Sequence, residues 1–291
     1  TKALGVSANY DGFETVDVEF LVSSLDSKMH YSYDEDWSYV GIHDWGYSST
    51  DVYLRERQQD TIDLRLLSKG DANWSWVAGV YANKRNSDLT RQYTWQSQDF
   101  ISVNEHQDIA FYGQVDYQLS DKSNLVLGGR FGQYDIDYTD NAGVEQRVDD
   151  NLIGFNISLK NQVNDQAMTY ITFARSDRAG GVNGEALAKA GDISSPSLQA
   201  QLLENSTFEP ETLYSAEFGV KGRSINDDLN IKLAAFYHHR SDPQLKSWIT
   251  DKVDNSAETF VGYTDNAGSS RGYGLELETR YQYNENVELY Y

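Results

Sequence analysis

Cysteine is absent from the 291 residues, which excludes a disulfide framework, a thiolate zinc site and a thiol nucleophile. Proline is scarce at three residues, against an average of about 5%. Long apolar runs are missing too. No stretch approaches the ~18 residues of a membrane-crossing helix, and mean hydropathy is −0.63. Positive charge is in deficit, with 24 Lys and Arg against 45 Asp and Glu, a formal net charge of −21. A chain this acidic is a poor partner for nucleic acid, which rewards clustered Lys and Arg. Catalytic signatures are lacking as well. There is no HExxH, P-loop, GxGxxG or G-x-S-x-G elbow, so an enzyme is the least favoured reading and no cofactor is implied. Among the histidines, His30, His43, His106, His238 and His239, the last two are adjacent. On a strand they point to opposite faces and cannot share a metal. The acidic run Asp34–Asp36 lacks EF-hand spacing, and no metal site is expected.

What the chain has in excess is aromatic residues, at 13%, with 21 Tyr. Disordered chains are poor in aromatics, so this one is expected to fold. Much Tyr with little Pro points to long, uninterrupted strands. The strands show as period-2 alternation. From Tyr273 to Tyr283 one face carries Tyr273, Leu275, Leu277, Thr279, Tyr281 and Tyr283, and the other Gly274, Glu276, Glu278, Arg280 and Gln282. Leu229 to His238, Tyr214 to Lys221, Phe111 to Leu119, Ile153 to Lys160 and Ile62 to Leu66 repeat the pattern. As helices these segments would scatter charge onto the apolar stripe.

Connections alternate in length. Tight turns are expected at 10–13 (YDGF), 69–73 (KGDAN), 120–124 (SDKSN), 163–166 (VNDQ), 225–228 (INDD) and 284–286 (NEN). Long connections are expected at roughly 35–50, 93–104, 140–149, 177–208 and 247–259. About 12 amphipathic strands, with short turns at one end and long loops at the other, describe an antiparallel transmembrane β-barrel. A soluble β-rich binding protein is the alternative the pattern leaves open. Tyr117, Tyr134, Tyr138, Tyr170, Tyr214, Tyr237, Tyr281 and Tyr283 lie near strand ends, where interfacial girdles are expected. Asn266, Ala267 and Gly268 are expected to bend or bulge an otherwise long strand.

Five blocks then carry a resemblance. They are 51–82 (DVYLRERQQDTIDLRLLSKGDANWSWVAGVYA), 108–138 (DIAFYGQVDYQLSDKSNLVLGGRFGQYDIDY), 170–184 (YITFARSDRAGGVNG), 208–244 (FEPETLYSAEFGVKGRSINDDLNIKLAAFYHHRSDPQ) and 263–280 (YTDNAGSSRGYGLELETR). In this order they resemble the barrel motifs of TonB-dependent outer-membrane receptors. Each block is degenerate alone, and together they are specific. The resemblance implies a barrel of about 22 strands around an N-terminal plug. The chain is therefore expected to be a partial barrel domain over 1–291, about 12 of those strands, with short periplasmic turns and long extracellular loops. The plug, the coupling box and the closing strands are expected to lie outside it, since a full barrel needs roughly 530 residues. Two open edges of unpaired backbone groups would then keep the isolated segment from forming a stable monomeric barrel.

The implied function is active transport across the bacterial outer membrane, most often of a ferric siderophore. The implied partners are the inner-membrane TonB complex, reached through the plug, a small-molecule iron chelate and the lipid bilayer. Oligosaccharide, cobalamin or haem uptake stays open, as does a passive porin-like channel; the haem-receptor FRAP motif is absent, its region reading FARSDRAGG. Ligand-binding candidates sit in the long connections. Trp37, Tyr39, His43, Trp45 and Tyr47 crowd five rings into eleven residues, a large contact area at low entropic cost. Arg175, Arg178 and Asn183 lie where a strand meets its loop and suit an anionic chelate, with strand-end pairing to nearby acids as the plainer reading. Trp248 is a further candidate. Glu217, Lys221, Glu276, Glu278 and Arg280 fall on the polar strand faces, which in a barrel line the lumen.

Overall fold

The period-2 alternation is realised in strands of unusual length. The computed structural model describes residues 1–34, 49–70, 73–226, 228–252 and 258–291. Twelve strands form one antiparallel sheet. They are β1 (Lys2–Tyr10), β2 (Val16–Asp34), β3 (Thr50–Ser68), β4 (Trp74–Tyr93), β5 (Phe100–Ser120), β6 (Ser123–Asp140), β7 (Glu145–Asn164), β8 (Ala167–Arg178), β11 (Glu211–Arg223), β12 (Leu229–Ser241), β15 (Ser269–Asn284) and β16 (Val287–Tyr290). Two small hairpins stand apart, β9 (Gly181–Val182) with β10 (Thr207–Phe208) and β13 (Gln244–Asp251) with β14 (Thr259–Asn266). Among the described residues helix is confined to α1 (Gly184–Leu187), a 3-10 turn at Ala190–Asp192 and α2 (Pro196–Glu204). Sheet order follows chain order, an up-and-down wall that stays open at β1 and β16.

The apolar residues of successive strands fall into cross-strand rows on one face. Leu64, Val80, Phe111, Phe131 and Ile153 make one row. Leu159, Ile171, Phe218, Ala235 and Leu275 make another. This face is bare, with Phe111 61% and Leu275 78% exposed. So broad an exposed apolar surface marks contact with something other than water. On β15 it runs from Tyr273 to Tyr283. That is ~33 Å of strand at ~3.3 Å per residue, or about 25 Å of height at a ~40° tilt, the thickness of an outer-membrane apolar band.

Past this belt the outward face turns polar along the row Asp60, Lys84, Gln107, Asp135 and Asp149, yet the strands continue. On β3 they run from Asp60 up to Thr50, about 30 Å more. The expected connections at 93–104 and 140–149 therefore shrink to 94–99 and 141–144. In these upper halves polar and apolar residues mix on both faces, with Ile101 and Val103 outward and Tyr53, Leu89, Phe100 and Ile136 inward, so alternation no longer marks the strand, while ladder hydrogen bonds persist. The strands β2–β7 make a tall wall. In β8, β11, β12 and β15 the ladder stops just past the belt, and the chain enters two insertions, 179–210 and 242–268. Ala267 and Gly268 join the second insertion to β15, a junction between hairpin and wall where a bend within one strand was expected. Asn266 fastens that junction, its amide donating to the carbonyls of Glu209 (3.0 Å) and Asp242 (2.8 Å).

Parity also divides the tyrosines. Tyr117, Tyr214, Tyr237, Tyr281 and Tyr283 share the outward parity of the apolar rows. Tyr134, Tyr138 and Tyr170 face inward, where Tyr134 meets His106, Tyr138 is buried, and Tyr170 donates to Glu217 at 2.5 Å. These three leave the expected girdle, because nearness to a strand end does not fix the face. On the inner face aromatics lie across glycines of the next strand, Tyr112 over Gly79 and Tyr170 over Gly219. A Cβ at either glycine would come within 2.4 Å of the ring, so a larger residue would displace it.

Candidate functional site

The two insertions fold together at the loop end of the wall. Ala186, Ile193, Leu202, Ile249, Val261 and Tyr263 form their shared core. Asn183 ties them by polar bonds. Its Nδ2 donates to the carbonyls of Asn205 (2.9 Å) and Thr264 (2.8 Å), and its Oδ1 accepts from the Thr264 amide at 2.8 Å. The Asp251 carboxylate accepts from the amides of Ser194 and Ser195 at the start of α2, where helix N–H groups lack intrahelical partners.

This unit leans across onto the inner face of the tall wall, and Arg91 on β4 is the anchor. Its guanidinium binds Asp51 through two parallel bonds, Nε to Oδ1 at 2.8 Å and Nη2 to Oδ2 at 2.9 Å. It also donates to Asp192 at 2.9 Å and to the Ala188 carbonyl at 2.8 Å on the insertion. Tyr33 and Tyr53 donate to Asp51 at 2.9 and 3.0 Å, and the Arg91 guanidinium lies 4.6 Å from the Tyr93 ring. Arg91 and Asp51 are both 1% exposed. Burial acts to raise the Asp51 carboxyl, but the Arg91 bonds hold it below the usual range. At Asp192 burial wins over Arg91 and the carboxyl is raised.

Between the insertion unit and the wall lies a cleft of about 330 Å³. Arg55, Arg57, Arg85 and His106 line it from the wall, Asn183, Glu185 and Lys246 from the insertions. Arg55 is paired with Glu185. Burial, then Arg85 and Arg55, lower the Arg57 guanidinium from its ordinary value. The Nε groups of Arg57 and Arg85 are buried without an acceptor among the described residues. The Nδ1 of His106 takes up Arg85 Nη2 at 2.9 Å and the Tyr134 hydroxyl at 2.6 Å. Burial, followed by the charges of Arg85 and Arg57, pushes its pKa down to about 4. The imidazole is thus neutral near pH 7 and accepts through Nδ1. A basic wall with unfilled N–H donors suits an anion with several acceptor oxygens.

The sequence candidates are dispersed around this geometry. Trp37, Tyr39, His43, Trp45 and Tyr47 lie outside the described residues. Asn183 lines the cleft while tying the insertions together. Arg178 has the inward parity of β8 and is exposed, whereas Arg175 faces outward and pairs with Asp177 at 3.0 Å. Trp248 is 61% exposed on β13, with the Lys246 ammonium 5.3 Å from its ring. Glu217, Lys221, Glu276, Glu278 and Arg280 share the inner parity. There Glu278 pairs with Lys232 at 2.8 Å, and Arg280 with Glu288. Sequence reasoning missed Arg55, Arg57, Arg85 and Arg91. Their odd-number parity on β3 and β4 was the available signal, since it matches Asp63 and opposes Leu64 and Val80.

The family description "TonB dependent receptor-like, beta-barrel" matches residues 1–291. No curated protein matched the sequence. Among solved structures, the ferric yersiniabactin uptake receptor FyuA from Yersinia pestis is 17% identical, with a TM-score of 0.70 over 97% of this chain and 40% of FyuA. The copper transporter OprC is 14% identical, with a TM-score of 0.73 over 98% of this chain and 44% of OprC. The ferric preacinetobactin receptor BauA from Acinetobacter baumannii is 16% identical, with a TM-score of 0.60 over 99% of this chain and 43% of BauA. The chain thus spans roughly two-fifths of the length of these relatives, a likeness of fold.

Proposed function

The chain belongs to the TonB-dependent receptor β-barrel family, a family of outer-membrane receptors and transporters, and from that premise we propose that it forms part of an active transporter for a ferric siderophore. The observation that carries this reading is the cleft at the loop end, where Arg57 and Arg85 hold unfilled N–H donors toward the inner side of the wall. An anionic iron chelate meets them there, and the rings of Trp37, Tyr39, Trp45 and Tyr47 with His43, together with Arg178, Asn183 and Trp248, complete the capture surface. Inner-face charges such as Glu217 and Glu276 hold a plug contributed by another part of the protein. Through that plug the inner-membrane TonB complex pulls open a path along the lumen.

The test is growth and iron uptake under iron limitation in a strain lacking the parent gene, complemented with the parent protein or with Arg57→Gln plus Arg85→Gln. Charge-assisted hydrogen bonds of ~1.5–3 kcal/mol predict an uptake affinity for the cognate siderophore about tenfold to a hundredfold weaker in the double variant. Unimpaired growth of the deletion strain on every siderophore tried would turn the reading toward an oligosaccharide or another nutrient. Uptake that survives dissipation of the proton-motive force would instead indicate a passive channel.

A further inference from the structure

The cleft has a neighbour across the Arg55–Glu185 pair. On the far side lies a second cavity of about 250 Å³, lined by Met29, Tyr31 and Tyr33 of β2, Tyr53 of β3 and Lys189. Arg55 and Glu185 line both cavities, so their ion pair is the wall between them. Parity puts Met29, Tyr31 and Tyr33 on the inner face, since Phe20 pairs with the outward Leu64. The Tyr31 ring lies 5.8 Å from Tyr33 and 6.3 Å from Tyr53, and the Lys189 ammonium 6.0 Å from Tyr53. Tyr33 and Tyr53 are fixed through their hydroxyls on Asp51, while Tyr31 is 55% exposed. The rings form a preset aromatic recess with a cation at its side.

The partition has a fixed backbone and a free arm. Ala186 and Leu187 beside Glu185 are buried, Asn183 ties the preceding turn, and a Cβ at Gly184 would come within 2.9 Å of the Tyr138 ring. The Glu185 side chain is nevertheless 69% exposed, against 27% for Arg55. An exposed ion pair is weak, and exposed side chains change rotamer within nanoseconds. Glu185 can therefore leave Arg55 by side-chain rotation alone. Asp88, the other acid lining the cleft, has outward parity on β4. Glu185 is thus the carboxylate that occupies the cleft's third guanidinium, while Arg57 and Arg85 keep unfilled Nε groups.

We infer that Glu185 is a tethered stand-in for the ligand, and that the cognate chelate is bipartite, a reading that rests on the cleft being an anion site. The anionic head of the chelate displaces Glu185 from Arg55 and spans Arg55, Arg57 and Arg85. An aryl group of the same chelate, a catecholate or phenolate ring, enters the tyrosine recess beside Lys189. Guanidinium forks match anionic oxygens in pairs. A polyanion outcompetes the single Glu185 carboxylate because its contacts to Arg57 and Arg85 hold it beside Arg55 at high effective concentration. Packing of ring on ring favours an aryl group in the recess beyond its area alone, and the Lys189 ammonium attracts an aryl oxygen anion. Glu185 keeps Arg55 neutralised in the empty cleft, where burial, then Arg85 and Arg55, already disfavour the charged form of Arg57.

The experiment uses the full-length receptor in neutral detergent, with radiolabelled iron followed by equilibrium dialysis. The iron(III) probes separate charge from ring. A hexadentate tris-catecholate is anionic and carries aryl groups, the tris-oxalate is anionic without them, and the tris-benzohydroxamate is neutral with them. The tris-catecholate should bind tightest. Glu185→Gln should tighten both anionic probes about twofold to fivefold, the strength of an exposed ion pair, and leave the neutral probe unchanged. A pair that only pinned α1 would do the reverse and weaken every probe. Tyr31→Leu should weaken the tris-catecholate about threefold to tenfold and spare the tris-oxalate. Heat-modifiable migration on gels establishes that each variant is folded. Anion affinity unchanged or lowered in folded Glu185→Gln would overturn the stand-in. Equal binding of tris-oxalate and tris-catecholate, or a Tyr31→Leu loss shared by the tris-oxalate, would overturn the aryl subsite. Undiminished anion binding in Arg57→Gln plus Arg85→Gln would sink the anion-site reading itself. Loss of binding there, with no effect of Glu185→Gln or Tyr31→Leu, would sink the bipartite ligand alone.

Discussion

The tall wall, β2–β7, and the low wall, β8–β15, are built from the same belt of outward apolar residues but use their remaining chain differently. The tall wall prolongs its ladders by about 30 Å on β3, and its upper inner face becomes a fixed basic surface carrying Arg55, Arg57, Arg85 and Arg91. The low wall stops its ladders early and spends residues 179–210 and 242–268 on a small packed unit. The cleft exists only because the second leans on the first. Rigid strands set the positions of the guanidinium groups, while the shape of the opposite side depends on side-chain packing and a few polar ties. Arg91 is what ties the low-wall unit to the tall wall, through Asp192 and the Ala188 carbonyl.

The largest effect should come from cutting that restraint. Arg91→Met leaves Asp51 and Asp192 buried without their cation, and breaking a buried pair from one side costs about 3–5 kcal/mol. Faster amide exchange across 179–210 in the full-length receptor, with the belt strands unchanged, is the expected result. Unaltered exchange there would show that the apolar contact of Ala188 with Tyr53, Leu89 and Phe100 suffices to hold the unit. Next in size is the core of the unit itself. Leu202 is fully buried between α2 and the β13–β14 hairpin, and Leu202→Ala should cost about 2–5 kcal/mol. Limited proteolysis should then cut within 179–210 and 242–268 together, since both insertions share that core. Cleavage confined to one insertion would break the picture of a single unit.

The two walls were unequally legible in the sequence. Belt residues such as Leu275, Leu277 and Tyr281 announce themselves, because one environment is apolar and the other wet, so parity shows at every step. The upper tall wall mixes polar and apolar residues on each side, and Phe100–Asn104 and Glu145–Asp149 therefore look like loop. Face also escaped where only proximity to an end was used, as with Tyr134 and Tyr138. The anchor escaped for another reason. Arg91 meets Asp51 and Asp192 across 40 and 101 residues of chain, and no local spacing encodes such a meeting. The repeated family motifs carried the architecture, whereas the cleft depends on how two insertions settle against a wall.

A smaller effect should separate the walls by charge state. His106 stands on the tall wall with its Nδ1 accepting from Arg85 and Tyr134, and its pKa is lowered to about 4 by burial and by the neighbouring guanidinium groups. An unfolded or locally opened chain would take up the proton near pH 6.5. Between those values the open state binds more protons than the closed one, so stability must fall as pH falls through that window and be fully present above it. By pH 5.5 the loss should reach about 1 kcal/mol. It should appear as faster exchange of the β5 amides around His106 relative to the belt, and His106→Gln should abolish this pH dependence while leaving exchange at neutral pH nearly unchanged. The Arg91 anchor follows a different course. Asp192 is raised and favours closure in its protonated form, while Asp51 is lowered and favours closure when ionised, so their responses to mild acid oppose each other. A pH response that persists in His106→Gln but vanishes in Asp192→Asn would move the sensitivity from the wall to its anchor.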